Sequence, residues 1–183
     1  GDVVITNDPW LCAGHKPDIG IVTPVFYENR LIGLIGCIAH SPDIGGALWG
    51  AGAKDFYEEG LYIPPTKLYA EGRPNDTLFS IIRTNVRAAD QTLGDILAQV
   101  AANDQGIRSL HRMMRENDLT DIDTLGEQLI AASENAMRAA IRQAPDGTYR
   151  AEYEADGDGL AEPVKLACAV TIAGDEISVD YTG

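Results

Sequence analysis

The hexapeptide His-x-Pro-Asp-Ile-Gly occurs twice, as His15-Lys16-Pro17-Asp18-Ile19-Gly20 and as His40-Ser41-Pro42-Asp43-Ile44-Gly45. Five of the six positions are identical, and two of the chain's three histidines sit in the copies. Between the copies stand two apolar, β-rich runs, 19–26 and 31–39, joined by Tyr27-Glu28-Asn29-Arg30. Apolar runs of this length around a short polar turn specify a hairpin. Their near-continuous apolarity predicts burial on both faces. With the turn at Glu28-Asn29, antiparallel pairing sets Asp18 opposite His40, because the entry and exit of a hairpin are neighbours in space. His15 and Asp43 lie just beyond, at the same end.

The rest of the chain reads strand, helix, strand. Val3-Val4-Ile5 is a short strand. Residues 51–75 read as irregular, with a helical turn at Lys54–Glu59 ended by Gly60 and with Pro64-Pro65 forbidding helix. From Asp76 the apolar period is helical, with Leu78, Ile81, Ile82 and Val86 on one face. A longer helix is predicted from Asp90 to Asn117, striped by Leu93, Ile96, Leu97, Val100, Ile107, Leu110 and Met114 and weakened at Gly94 and Gly106. A third runs from Asp123 to Gln143, with Leu125, Leu129, Ala136, Met137, Ala140 and Ile141 inward, and stops at Ala144-Pro145-Asp146-Gly147. Strands follow at Thr148–Glu154, Val164–Ile172 and Glu176–Tyr181, the last two joined by a turn at Ala173-Gly174-Asp175. The expected class is α+β: an N-terminal β-hairpin with glycine-rich loops, central helices and C-terminal antiparallel strands. The length and 45% hydrophobic content predict one domain over residues 1–183. The opening Gly1-Asp2-Val3, without Met, and the close on a strand-like run predict an internal fragment of a larger subunit.

Two imidazoles and two carboxylates converging in glycine-rich loops suit a divalent metal such as Zn, Mn or Fe(II). The proline of each copy stiffens the His-to-Asp geometry, and Gly20, Gly45 and Gly46 permit close backbone approach. Asp8, in Asn7-Asp8-Pro9, is placed to add a ligand or orient an imidazole. The competing reading is a pair of structural turns, each Asp receiving backbone amides and each His a satisfied loop residue. Other candidates carry less. His111 reads as a surface or core-edge residue of the long helix, and Met113-Met114 as ordinary core. Gly45–Gly50 lacks the Gly-Lys-Ser/Thr ending of a phosphate loop. Asp156-Gly157-Asp158-Gly159 begins like a calcium loop, but no Glu follows at the required distance. Cys12, near His15, is a faint nucleophile candidate.

A net charge of −14 repels a phosphate backbone, so nucleic acid is not an expected partner. Cys12, Cys37 and Cys168 form no disulfide framework and read as reduced thiols of a cytoplasmic protein. No apolar run is long enough to span a membrane.

At the hexapeptides the sequence resembles the hydantoinase B/oxoprolinase family. Asn7-Asp8-Pro9-Trp10 followed by Gly14-His15-Lys16-Pro17-Asp18 is similar to one family motif, and Ala39-His40-Ser41-Pro42-Asp43-Ile44-Gly45-Gly46 to another. Glu59–Leu68, Asn85-Val86-Arg87, Gly94–Gln99, Pro145–Tyr149 and Val179–Gly183 match further motifs in order, so the resemblance covers essentially the whole chain. Two positions depart from the pattern. Ser41 stands where the family has a second consecutive His, and Cys12-Ala13-Gly14 where it has Gly-Gly-Thr.

The family includes components of ATP-dependent N-methylhydantoinases, 5-oxoprolinases and acetone and acetophenone carboxylases. The resemblance implies a hydantoinase A-like ATPase partner that holds ATP, in a hetero-oligomer acting on a small-molecule carbonyl substrate. It implies a divalent metal, manganese first and zinc or iron next, on His15, Asp18 and His40. Asp8 and Asp43 are then expected to orient ligands or move protons. Cyclic-amide hydrolysis is the first expectation and ketone carboxylation the second. A non-catalytic assembly module is the rival from another class. Loss of bound metal from a folded His40→Ala variant separates the first two from the third.

Overall fold

Glu28 and Asn29 both adopt positive φ, 48° and 64°. That conformation matches the twist of a two-residue hairpin turn. The turn joins β2 (Asp18–Tyr27) to β3 (Arg30–His40), pairing Tyr27 with Arg30 at one end and Asp18 with His40 at the other. The expected register is therefore the observed one. The computed structural model describes residues 1–47, 53–156 and 163–182. Where length predicts a single domain, the chain divides into two compact units, Gly1–Asp121 and Ile122–Gly183.

In the first unit the hairpin extends into a five-stranded antiparallel sheet of order β3-β2-β1-β4-β5, with β1 at Val3–Thr6, β4 at Thr66–Ala70 and β5 at Arg73–Pro74. β4 and β5 fall in the stretch expected to be irregular. β4 carries one buried residue, Leu68, and its partner β1 is distant in sequence, so its local signal is weak. Pro74 lies on an edge strand, where a missing N–H costs no ladder bond. Phe56–Glu59 form a turn rather than a helical one, with the Asp55 carboxylate accepting from the N–H groups of Tyr57 and Glu58.

Two helices cover one face of this sheet. α1 (Asp76–Asn85) is capped by the Asn75 side chain, which accepts from Leu78 N, and α2 spans Ala89–Glu116. Ile5, Ile19, Ile21, Leu68, Ile82, Leu93 and Ile96 form the core. Buried Asn103 of α2 donates to Ile21 O, Thr23 Oγ1 and Ile35 O, pinning the helix to the hairpin. At Gly106 a Cβ would lie 2.2 Å from Ile35 Cδ1, so a residue that weakens the helix lets it approach β3. Burial on both faces of the hairpin does not occur. Alternate residues point to opposite sides, and Phe26, Leu34 and Ile38 stay exposed on the side away from α2. Ile81 and Leu97, expected on the inward stripes, also remain substantially exposed.

The second unit holds α3 (Asp123–Ile141) and an antiparallel sheet of β6 (Gly147–Ala155), β7 (Val164–Ala173) and β8 (Glu176–Asp180). Gly174, at φ 63°, and Asp175 make the expected turn between Ala173 and Glu176. Arg138 and Arg142 of α3 hold Asp175 at 3.5 and 2.6 Å. No residue of α3 is buried, so Leu129 and Met137 are exposed rather than inward. In the candidate calcium loop, residues 157–159 lie outside the described residues. Among the described residues no helix is long and apolar enough to cross a membrane.

Candidate metal centre

Asp18 is the first residue of β2 and His40 the last of β3, so ladder pairing alone makes them neighbours. His40 Nδ1 donates to Asp18 Oδ1 at 2.8 Å. His15 precedes the strand, and the turn through Pro17 brings its Nε2 to 3.0 Å from Asp18 Oδ2. The two imidazoles face each other with centroids 5.0 Å apart at 52°. One ligand atom from each of the three residues lies within 4.8 Å of the others. Burial acts to raise the Asp18 carboxyl, but hydrogen bonds from His15 and His40 outweigh it and hold the group below the usual carboxylate range.

The loop carrying His15 is fixed from below. Asn7, 1% exposed, donates from Nδ2 to Lys16 O and Leu61 O, both at 2.8 Å, and accepts from Ile63 N at 2.7 Å. Lys16 is also 1% exposed. Its ammonium lies 3.7 Å from the centre of the Phe56 ring and donates to Gly60 O at 3.0 Å, and its backbone N donates to Glu59 Oε2. Desolvation lowers the Lys16 pKa, with Glu59 and Asp55 opposing. Ser41 N donates to Pro17 O at 2.7 Å, extending the pairing one step past the ladder. The Ser41 hydroxyl is buried against Asp43 O and Thr92 Oγ1, so the departure from the family's second His does not face the imidazoles.

The other expected residues are placed differently. Asp43 does not join the three. Its carboxylate, 5% exposed, accepts from the N–H groups of Gly45, Arg87 and Ala88 and from the Arg87 guanidinium at 2.9 Å. It ties the second hexapeptide to the segment between α1 and α2. Asp8 Oδ1 accepts from Trp10 N at 2.9 Å and Oδ2 from the Tyr62 hydroxyl at 2.8 Å, so it orients a tyrosine and not an imidazole. Burial, then the carboxylates of Asp18 and Asp8, raises the Cys12 thiol, which disfavours a nucleophilic thiolate. His111 packs on Tyr27, at the turn end of the hairpin. Of Gly45–Gly50, residues 48–50 lie outside the described residues. Asn7, Lys16, Tyr62 and Arg87 also build the site; each lies in a stretch that matches a family motif, but no local pattern gives it a role. The contacts that reveal them span up to 56 residues.

Metal–ligand distances of about 2.0–2.2 Å separate neighbouring ligand atoms by roughly 3–3.5 Å. The two imidazole–carboxylate contacts, at 2.8 and 3.0 Å, lie near that range, and the three ligand atoms as a set lie within 4.8 Å, so a small inward movement would let two nitrogens and one oxygen hold a borderline divalent ion. His40 is exposed and His15 partly so, which leaves one side open for exchangeable ligands, as catalytic rather than structural sites require.

The family model described as Hydantoinase B/oxoprolinase matches residues 1–183. The B-type component of a provisionally named D-/L-hydantoinase from Pseudomonas sp. (strain NS671) is 35% identical, over 100% of this chain and 32% of that protein. The crystal structure of an ATP-dependent caprolactamase from Pseudomonas jessenii superposes with a TM-score of 0.85 at 35% identity, over 98% of this chain and 32% of that one. A nucleotide-free acetone carboxylase structure gives the same TM-score at 20% identity, over 98% and 26%, a likeness of fold alone. The chain thus spans about a third of the length of that hydantoinase component, and the same share of the beta component of a caprolactamase from Pseudomonas jessenii. With its motifs in order, its fold shared and its full length matched, the chain belongs to the hydantoinase B/oxoprolinase family.

Proposed function

We propose that this chain forms the metal-binding catalytic part of an ATP-dependent hydrolase of cyclic amides. The supporting observation is the convergence of His15, Asp18 and His40 within 4.8 Å, in a chain similar to hydantoinase and caprolactamase components. These three residues would hold a divalent ion, manganese first and zinc or iron next. Bound there, such an ion supplies Lewis acidity toward a carbonyl oxygen and acidifies water. Asp18 orients both rings and carries the negative charge that a cation needs. Asp8 is the proton-handling carboxylate, acting through Tyr62. Asp43 serves by holding the second loop in place. The nucleotide belongs to a hydantoinase A-like ATPase partner in a hetero-oligomer. Ketone carboxylation ranks second, since the acetone carboxylase likeness carries the fold alone.

The test is metal stoichiometry by elemental mass spectrometry on the full-length subunit, wild type against a His15→Ala/His40→Ala double variant. The expected result is about one divalent ion per wild-type chain, lost in the variant while its circular dichroism is unchanged. Metal in neither protein after Mn or Zn is supplied would sink the assignment. Turnover of a cyclic amide with ATP by the wild-type complex alone then separates hydrolysis from an assembly role.

A further inference from the structure

The β1–β2 register pairs Val4 with Val22 and Thr6 with Gly20, and the β2–β3 register pairs Asp18 with His40. The β1–β2 ladder ends at Thr6, so Asp8, two residues past it, lies at the same end of the sheet as Asp18 and His40. The chain at Asn7 stays in step with its other neighbour, since Asn7 N donates to Ile63 O at 3.1 Å. The segment carrying Tyr62 is stitched to the loop carrying His15 by side-chain hydrogen bonds. Asn7 Nδ2 holds both Leu61 O and Lys16 O, Lys16 Nζ donates to Gly60 O, and Lys16 N donates to Glu59.

In that frame the Tyr62 hydroxyl donates to Asp8 Oδ2 at 2.8 Å. Asp8 cannot swing away, because its Oδ1 accepts from Trp10 N and its own N–H donates to Thr6 Oγ1. Phe56 meets the Tyr62 ring edge-on at 5.2 Å and fixes its plane. Tyr62 is nevertheless 38% exposed. With its proton committed to Asp8, its oxygen offers lone pairs and acts outward as an acceptor. The nearby ammonium, Lys16, is buried under Phe56 and bound to Gly60 O, so it presents no cation to a ligand. A rim that offers a tyrosine acceptor suits an N–H donor.

We propose that Tyr62, held by Asp8, receives the ring N–H of the cyclic amide and selects lactams without an N-substituent. This rests on the amide-hydrolase reading, and it assigns Tyr62 a substrate-positioning role.

The experiment uses the full-length subunit with its ATPase partner, and compares an unsubstituted neutral lactam with its N-methyl counterpart. Tyr62→Phe removes the acceptor and keeps the ring. The expected result is a rise in KM of roughly 3–10-fold for the unsubstituted lactam, whatever fall in kcat the lost Asp8–Tyr62 proton path causes on both lactams. KM for the N-methyl lactam should stay unchanged, since it has no N–H to lose. Calorimetric Kd values without ATP should show the same split. Asp8→Asn removes the carboxylate that takes the Tyr62 proton; it should lower kcat on both lactams, but its calorimetric Kd without ATP should weaken for the unsubstituted lactam alone, and it covers the case in which Tyr62→Phe fails to fold. Equal rises in KM and Kd on both lactams, or none on either, would overturn the inference while leaving the hydrolase reading intact. A wild-type complex that turns over neither lactam would overturn the hydrolase reading itself, and the inference with it.

Discussion

Asp43 accepts hydrogen bonds from three backbone N–H groups and one guanidinium while 5% exposed. Its burial pushes the carboxyl pKa up, but bonds from Gly45, Ala88 and Arg87 outweigh that and hold it below its ordinary value. The folded pKa is depressed relative to an unfolded value near 3.9, so the carboxylate stabilises the fold above that value. The contribution is lost as pH falls through the lower folded pKa. Asp43→Ala leaves buried N–H donors unpaired and should cost about 2–4 kcal/mol in urea unfolding near neutral pH. Its deficit against wild type should shrink as pH falls below the unfolded carboxylate value and through the lower folded one; a deficit independent of pH would place the loss in packing instead. The same residue marks where the repeat is readable and where it is not. The first hexapeptide leads into its strand and the second leads out, so hairpin symmetry joins Asp18 to His40 legibly. Pairing beyond Ser41 N and Pro17 O stops, and Asp43 turns to Arg87, 44 residues onward, which no local pattern announces.

The long helix contains two glycines with opposite surroundings. A Cβ at Gly94 meets nothing within 4 Å, whereas one at Gly106 lies 2.2 Å from Ile35 Cδ1. Gly94→Ala should therefore gain the helix-propensity difference, about 0.5–1 kcal/mol. Gly106→Ala sets the same gain against displacement of Ile35 and should come out lower by about 1 kcal/mol or more. Adding Ile35→Val, which removes Cδ1, should restore most of that difference in thermal melting. Equal effects at the two glycines would mean that α2 does not approach β3 so closely. At this scale the helices are legible because their apolar period is strong and Asn75 and Pro145 punctuate them. β4 and β5 are not, because Thr66–Ala70 buries one side chain and finds its partner across the chain. The hairpin's exposed face misleads for another reason. Phe26, Leu34 and Ile38 read as interior residues, but α1 and α2 supply cover for only one side.

Apolar surface is distributed very unevenly between the two units. The core residues Ile5, Ile21, Leu68, Ile82, Ile96 and Met114 all lie in Gly1–Asp121. In Ile122–Gly183 the register places Tyr149, Val170 and Val179 in one row and Tyr153 and Leu166 in another, on the same face of the sheet. Tyr149, Tyr153, Leu166 and Val179 are exposed, and α3 buries no residue. Burial at about 25 cal/mol per Å² is the main term opposing chain entropy, so the second unit has little to offset its ordering. The 183-residue chain should accordingly unfold in two steps rather than one. Amide hydrogen exchange by mass spectrometry should find Ile19–Val25 and Leu93–Met114 the slowest to exchange. Thr148–Ala155 and Glu176–Asp180 should exchange through a separate opening of lower free energy, even though their ladders are regular. In the full-length subunit the same strands should gain protection, because an exposed apolar sheet face of this size marks a surface that further polypeptide covers. Identical protection in the isolated chain and the full-length subunit would show that the second unit stands by its ladders alone, and that its apolar face is left to solvent.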